Sequence, residues 1–150
     1  MIQIAKTDLK GGEITVPKAL IVEDSAIFRR LIKETLLSRF PSMEISEAAD
    51  GEEALRKIDP PLPDLIFMDI KLPGESGLEL TKKIKTKHPN IIIIILTAYD
   101  MPEYREAAYQ YNANYFLTKG SASKENILAL VESALSDRRI NHSGSKSENE

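Results

Sequence analysis

Hydrophobic positions fall into five short runs, and between them the spacing changes to that of amphipathic helices. The clearest run is Leu65-Ile66-Phe67-Met68, which meets Asp69 and then the breaker Pro73-Gly74. A continuous apolar run between breakers predicts a strand buried on both faces, with Pro63 and Pro73-Gly74 as its limits. Ile91 to Leu96 is the most apolar stretch, and its five consecutive isoleucines predict a central strand. Ala19-Leu20-Ile21-Val22 and Tyr115-Phe116-Leu117-Thr118 predict the first and fifth strands. Met43 to Ala48 alternates apolar and polar, as an edge strand with one covered face does.

The intervening stretches carry helix signals. Ser25 is placed to cap a helix from about Ala26 to Ser38, with Phe28, Leu31, Ile32, Thr35 and Leu36 on one face. Asp50-Gly51-Glu52-Glu53 is a capping-box variant opening a short helix through Ile58, and Ser76-Gly77-Leu78-Glu79 is another. Leu78, Leu80 and Ile84 populate the helix after Ser76, which Pro89-Asn90 ends. Asp100-Met101-Pro102-Glu103 predicts the cap of a fourth helix reaching about Tyr111. A last helix runs from Ser123 to about Asp137 and buries Ile127, Leu128, Val131 and Leu135.

Five strands alternating with five helices predict an α/β domain over residues 18–137: a doubly wound, mostly parallel sheet with right-handed crossovers. Residues 1–17 read as a loosely ordered N-terminal extension in preference to a small hairpin, and residues 138–150 as a polar tail or linker.

Composition narrows the function. The 150 residues are 42% hydrophobic and 29% charged, ordinary globular usage, and suit one domain. A net charge of -3 argues against nucleic acid bound by this chain. The absence of cysteine removes disulfides, a thiolate nucleophile and Cys-ligated zinc. Residues 1–8 lack the apolar region of a signal peptide, and no run reaches transmembrane length, so a soluble cytoplasmic chain and no membrane partner are expected.

In a doubly wound sheet the site lies outside the carboxyl ends of the strands. Those ends carry Glu23-Asp24, Asp69, Thr97 and Lys119: three carboxylates, a hydroxyl and an ammonium. Singly, each residue has a plainer role as a helix cap, a strand filler or a solvated charge. Five such coincidences at one sheet edge are improbable together. One lysine cannot cancel three carboxylates; a hard divalent cation with oxygen ligands can, and the set suits Mg²⁺ better than zinc. Phosphoryl transfer to Asp69 is then a plausible chemistry, with Thr97 and Lys119 engaging the phosphoryl oxygens.

Four stretches in order carry a family resemblance: Leu20-Ile21-Val22-Glu23-Asp24-Ser25, Asp69-Ile70-Lys71-Leu72-Pro73-Gly74-Glu75-Ser76-Gly77, Leu96-Thr97-Ala98, and Ala113-Asn114-Tyr115-Phe116-Leu117-Thr118-Lys119. Over residues 18–137 the chain resembles the receiver domain of two-component response regulators. The resemblance implies a flavodoxin-like fold of strand order 2-1-3-4-5. It implies that Asp69 accepts a phosphoryl group from a sensor histidine kinase or phosphotransfer protein. Asp24, Asp69 and the Lys71 main-chain carbonyl would hold Mg²⁺, with Glu23 acting through a metal-bound water. Lys119 would pair with the phosphate, the Thr97 hydroxyl would move to bond it, and Phe116 would be the switch aromatic. The domain would promote only its own phosphorylation and dephosphorylation and would not be an enzyme in the wider sense. Lys71 and Tyr99 stand where the family controls the lifetime of the phosphorylated state. The fourth helix, with Tyr104, Tyr109 and Tyr111, joins the fifth strand and helix in a face suited to a homodimer or partner.

Two positions depart from the commonest pattern: Glu23 where Asp is commoner, and Gly120 where proline is frequent. The alternative is a pseudo-receiver, an interaction module not controlled by phosphorylation; the intact set of five argues against it. An aspartyl-phosphate phosphatase would want an acid at Lys71, and a flavin site a hydroxyl-rich loop where Glu23-Asp24 stands. The expectation is a stand-alone regulator or a receiver from a longer protein whose linker begins at the tail.

Overall fold

The computed structural model describes residues 6–7, 13–14 and 16–144, with side chains described over 16–137. Near the N-terminus β1 (Lys6–Thr7) pairs antiparallel with β2 (Glu13–Ile14), a short ladder where the sequence favours an unpaired extension. The segment of Ile2 and Ile4 lies outside the described residues.

The domain itself is a five-stranded parallel sheet of β3 (Lys18–Val22), β4 (Glu44–Ala48), β5 (Leu65–Met68), β6 (Ile92–Thr97) and β7 (Tyr115–Thr118). Its spatial order is β4-β3-β5-β6-β7, which is 2-1-3-4-5 counting these five alone. Between them lie α1 (Ala26–Arg39), α2 (Gly51–Arg56), α3 (Gly77–Lys87) and α4 (Pro102–Gln110), and α5 (Lys124–Gly144) follows. Among the described residues no helix is long and apolar enough to cross a membrane.

The period-2 alternation of strand side chains divides the core. Leu20, Val22, Ile66, Met68, Ile93 and Ile95 face one cluster with Ala54, Leu80, Ile84 and Ala108 of α2, α3 and α4. Ala19, Ile21, Leu65, Phe67, Ile92, Ile94 and Leu96 face another with Ile32, Leu36, Ile127 and Val131 of α1 and α5. A strand covered on both faces has no polar side, which is why Ile91–Ile95 carries none and is entirely buried. The edge strand β4, by contrast, keeps Glu44 exposed and Glu47 half-buried against Arg29 and Lys33.

The helix signals hold with local corrections. Ser25 Oγ accepts from Phe28 N, and Ser76 Oγ from Leu78 N and Glu79 N. Asp50 accepts from Glu53 N while Glu53 reaches back to Ala49 N, and α2 stops at Arg56, short of Ile58. Leu31 is 44% exposed, against the expected burial. The buried stripe is Ile32, Thr35 and Leu36, and at 100° per residue Leu31 lies about 90° round from its centre. Asp100 does not cap α4: Met101 is the N-cap with no side-chain bond, Pro102 opens the helix, and Asp100 pairs with Arg105 at 2.9 Å. Ser123 caps α5 through Asn126 N, and α5 runs past Asp137 to Gly144, into the stretch read as tail.

A buried polar staple ties α3 to the sheet. Lys85 Nζ donates to Pro89 O at 3.0 Å, Ile91 O at 2.8 Å and Asn114 Oδ1 at 3.0 Å, and Asn114 Oδ1 also accepts from Ile93 N at 2.9 Å. Removing that oxygen takes an acceptor from both a buried ammonium and a strand amide. Asn114→Ala is therefore expected to cost about 2–3 kcal/mol in urea unfolding. A variant within about 0.5 kcal/mol of the parent would show that water replaces the amide oxygen.

Candidate functional site

Glu23, Asp69 and Lys119 each stand one residue beyond their strand, and the backbone fixes them identically. Glu23 N donates to Ala48 O (2.9 Å), Asp69 N to Val22 O (3.0 Å) and Lys119 N to Thr97 O (2.7 Å). Each acceptor is the last residue of the neighbouring strand, so these three residues sit on the final rungs of their parallel ladders.

The side chains then converge. Lys119 Nζ lies 2.6 Å from Glu23 Oε1 and 3.2 Å from Asp69 Oδ2. The free oxygens are also used: Asp69 Oδ1 accepts from Ile70 N (2.7 Å) and Glu23 Oε2 from Ser25 N (3.0 Å). Glu23 and Asp69 are buried and Asp24 is exposed. Burial pushes the Glu23 carboxyl above its ordinary range and the Asp69 charge adds to this, against the pull of Lys119 and the Ser25 amide. Burial alone would lower Lys119, yet its hydrogen bond to Glu23 and the charges of Asp69 and Glu23 raise it. The ammonium thus stays charged, and the acid cluster remains short of positive charge.

Carboxylate oxygens of Glu23, Asp24 and Asp69 lie within 4.8 Å of one another. Six oxygens at about 2.1 Å from a Mg²⁺-sized ion would stand about 3 to 4.2 Å apart, so a small closing movement brings these into range. An all-oxygen, partly exposed and under-neutralised set fits a hard divalent cation.

Thr97 is fully buried at the end of β6, where its Oγ1 accepts from Tyr99 N at 3.4 Å. Phe116 is buried at 6% exposure beneath the Arg105 guanidinium, 4.5 Å from the ring centroid. Lys71 is exposed, but its Nζ lies 5.3 Å from the Tyr99 ring centre and 5.7 Å from that of Tyr104.

Sequence reasoning missed three neighbours. Phe28, read as core, lies under Lys119 Nζ at 4.3 Å. Tyr104 shares Lys71 with Tyr99, and Arg105 covers Phe116. No local pattern marks these, because each contact joins separate elements. Gly77 had a signal, being the last residue of the Asp69–Gly77 motif: a Cβ there would lie 1.8 Å from the Asp69 carbonyl oxygen. Its amide also donates to Ile70 O at 2.9 Å.

With this geometry in hand, comparison with known proteins is decisive. The family model for the response regulator receiver domain matches residues 19–132. The chain belongs to that family. This receiver domain is 32% identical over 113 residues to the response regulator GacA of Pseudomonas syringae pv. syringae, covering 75% of this chain and 53% of that protein. The chain spans about half the length of the curated relatives of this kind that it matches. A CheY-like response regulator receiver domain protein from Methanospirillum hungatei superposes with a TM-score of 0.78 at 26% identity, over 85% of this chain and 99% of that one. The phosphorylated cyanobacterial phytochrome response regulator RcpA superposes with a TM-score of 0.68 at 26% identity, over 79% and 91%. The CheY-like fold and the order 2-1-3-4-5 agree with the sequence expectation.

Because the Asp69 carbonyl occupies the space a side chain at Gly77 would need, Gly77→Ala in this receiver domain forces backbone movement. The expected cost is about 1–3 kcal/mol of unfolding free energy. An unchanged denaturation midpoint would mean the loop after Asp69 yields without loss.

Proposed function

We propose that this chain is a phosphorylation-controlled signalling switch whose acceptor is Asp69, with the phosphoryl group drawn from the phosphohistidine of a sensor kinase or a phosphotransfer protein. The observation that carries the reading is the meeting of Asp69 with Lys119 inside an acidic cluster short of positive charge. The family membership and a structural neighbour described as phosphorylated support it.

A carboxylate oxygen of Asp69 attacks phosphorus; the P–O bond forms as the P–N bond breaks, and the imidazole nitrogen leaves with the electron pair. Lys119 is already within 3.2 Å of that carboxylate and needs little reorganisation to meet the transferred oxygens. Glu23 also pairs with Lys119 at 2.6 Å and helps to keep it charged. Asp24, Asp69 and the Lys71 carbonyl would hold Mg²⁺, with Glu23 acting through a bound water. When bound, the ion offsets charge on the phosphoryl oxygens. The Thr97 hydroxyl, now on the Tyr99 amide, would exchange that bond for a phosphoryl oxygen, and Phe116 would repack. The change would reach the face of α4, β7 and α5, where Tyr109 is 48% exposed and suits a second copy or a partner.

Lys71 and Tyr99 stand at the positions that control the approach of water in the receiver family, and neither is an acid or amide that would orient it, so the phosphorylated state is proposed to decay slowly. The domain turns over no other substrate on this reading. It is read as cytoplasmic, without a membrane or nucleic acid partner of its own.

Asp69→Asn keeps the shape and cannot attack phosphorus. After incubation with acetyl phosphate and Mg²⁺, intact mass should show one added phosphoryl group on the parent and none on the variant, with unchanged circular dichroism. Phosphate uptake by the variant would refute the acceptor. Mg²⁺ at about a hundredfold excess over its Kd should stabilise the parent by about 2–3 kcal/mol. Asp24→Ala should lose that gain, and an equal gain in both proteins would move the metal elsewhere.

A further inference from the structure

The Lys71 ammonium lies against two rings at once. Tyr99 comes from the loop after β6 and Tyr104 from α4, and the rings meet edge to face at 6.4 Å and 87°. Tyr99 is 44% exposed, while Tyr104 packs partly buried against the core cluster beneath α4. A cation over an exposed ring is held weakly, so Lys71 has a resting place that a stronger charge can empty. Its position in the chain supplies that charge. Two residues of backbone separate it from Asp69, about 7 Å at full extension, a span comparable to the lysine stem itself. Phosphorylation of Asp69 would replace the carboxylate charge of −1 by a phosphoryl charge of about −2, at a site whose ammonium, Lys119, is already shared with Glu23.

We propose that Lys71 is a two-position cation: docked on Tyr99 and Tyr104 while Asp69 is bare, and drawn onto the phosphoryl group once it is attached. This rests on the phosphoacceptor reading above. Its departure takes from Tyr104 a contact that ties α4 to the Asp69 loop. Arg105, the next residue of α4, is the one that covers Phe116. The phosphoryl charge therefore reaches α4 and the cover of Phe116 from the Lys71 side, by a route that does not need Thr97. The differential contact that any ligand-driven shift requires is here the exchange of two ring faces for an anion.

The test uses beryllofluoride with Mg²⁺ as the phosphoryl mimic. In the bare protein the Lys71 ε-methylene resonances should be displaced upfield by the two rings, and the mimic should return them toward free-lysine values, while Mg²⁺ alone should not. Tyr104→Leu should halve the upfield displacement or better. It should also tighten the mimic by about two- to five-fold, because Lys71 no longer has to leave a ring. Tyr99→Leu, at an exposed position, should do the same without touching the core. In a Lys71→Met background neither tyrosine substitution should change the affinity. Resonances that show no ring displacement, or keep it with the mimic bound, would overturn the proposal, as would tyrosine effects that persist without Lys71. A parent protein that binds no beryllofluoride at saturating Mg²⁺ would instead remove the phosphoacceptor reading, and the two-position cation with it.

Discussion

The last rung of three of the four parallel ladders is the constraint on which the rest depends. In a parallel sheet all strands end at the same edge, and here the residues after β3, β5 and β7 still donate their amides to the neighbouring strand. Glu23, Asp69 and Lys119 occupy those positions, held by Ala48, Val22 and Thr97. Charged side chains from distant parts of the chain are thus anchored by backbone bonds at the rim of a fully buried core. Asp69 and Lys119 are fifty positions apart in the chain and 3.2 Å apart in space. The cost of gathering like charges is met by the whole sheet.

That gathering leaves an imbalance. One ammonium serves Glu23 and Asp69 together, and Asp24 stands beside them. The Glu23 carboxyl is raised by its burial, and Lys119 is kept charged by its two partners. Such a site is costly when empty of further positive charge and gains by binding it. The same feature that makes it a poor stabilising element makes it responsive.

Around this fixed centre the contacts are of a softer kind. Lys71 on Tyr99 and Tyr104, Lys82 on Tyr111 and Arg105 on Phe116 all hold α4 or its flanks by cation–π contacts. Each is worth about 0.5–1 kcal/mol where exposed, far less than the burial of a core isoleucine. Beneath α4, Ala108 is its one fully buried residue. The site residues thus rest on backbone bonds of the sheet, whereas α4 is held by one buried residue, by Tyr104 packed against the core and by these weaker cation–π contacts.

The sequence by itself determined the five strands of the parallel sheet and the edge at which the charged residues emerge, though not the short β1–β2 ladder. Short apolar runs rich in β-branched residues and bounded by breakers read as strands covered on both faces, and their alternation with helices favours a parallel order. Glu23, Asp24, Asp69 and Lys119 are therefore legible as neighbours from the sequence alone. What tertiary structure alone decided is the pairing of side chains between elements. Lys119 takes Glu23 as well as Asp69, Phe28 lies beneath it, and Lys71 is divided between two tyrosines. Local pattern records which side of a helix faces the core; it does not record which residue waits there. Leu31 shows the limit, since a helix stripe drawn from apolar spacing includes it and the neighbouring surface leaves it exposed. The close approach of Gly77 to the Asp69 carbonyl belongs to both: the glycine is written in the motif, and the reason for it lies in a contact across the loop.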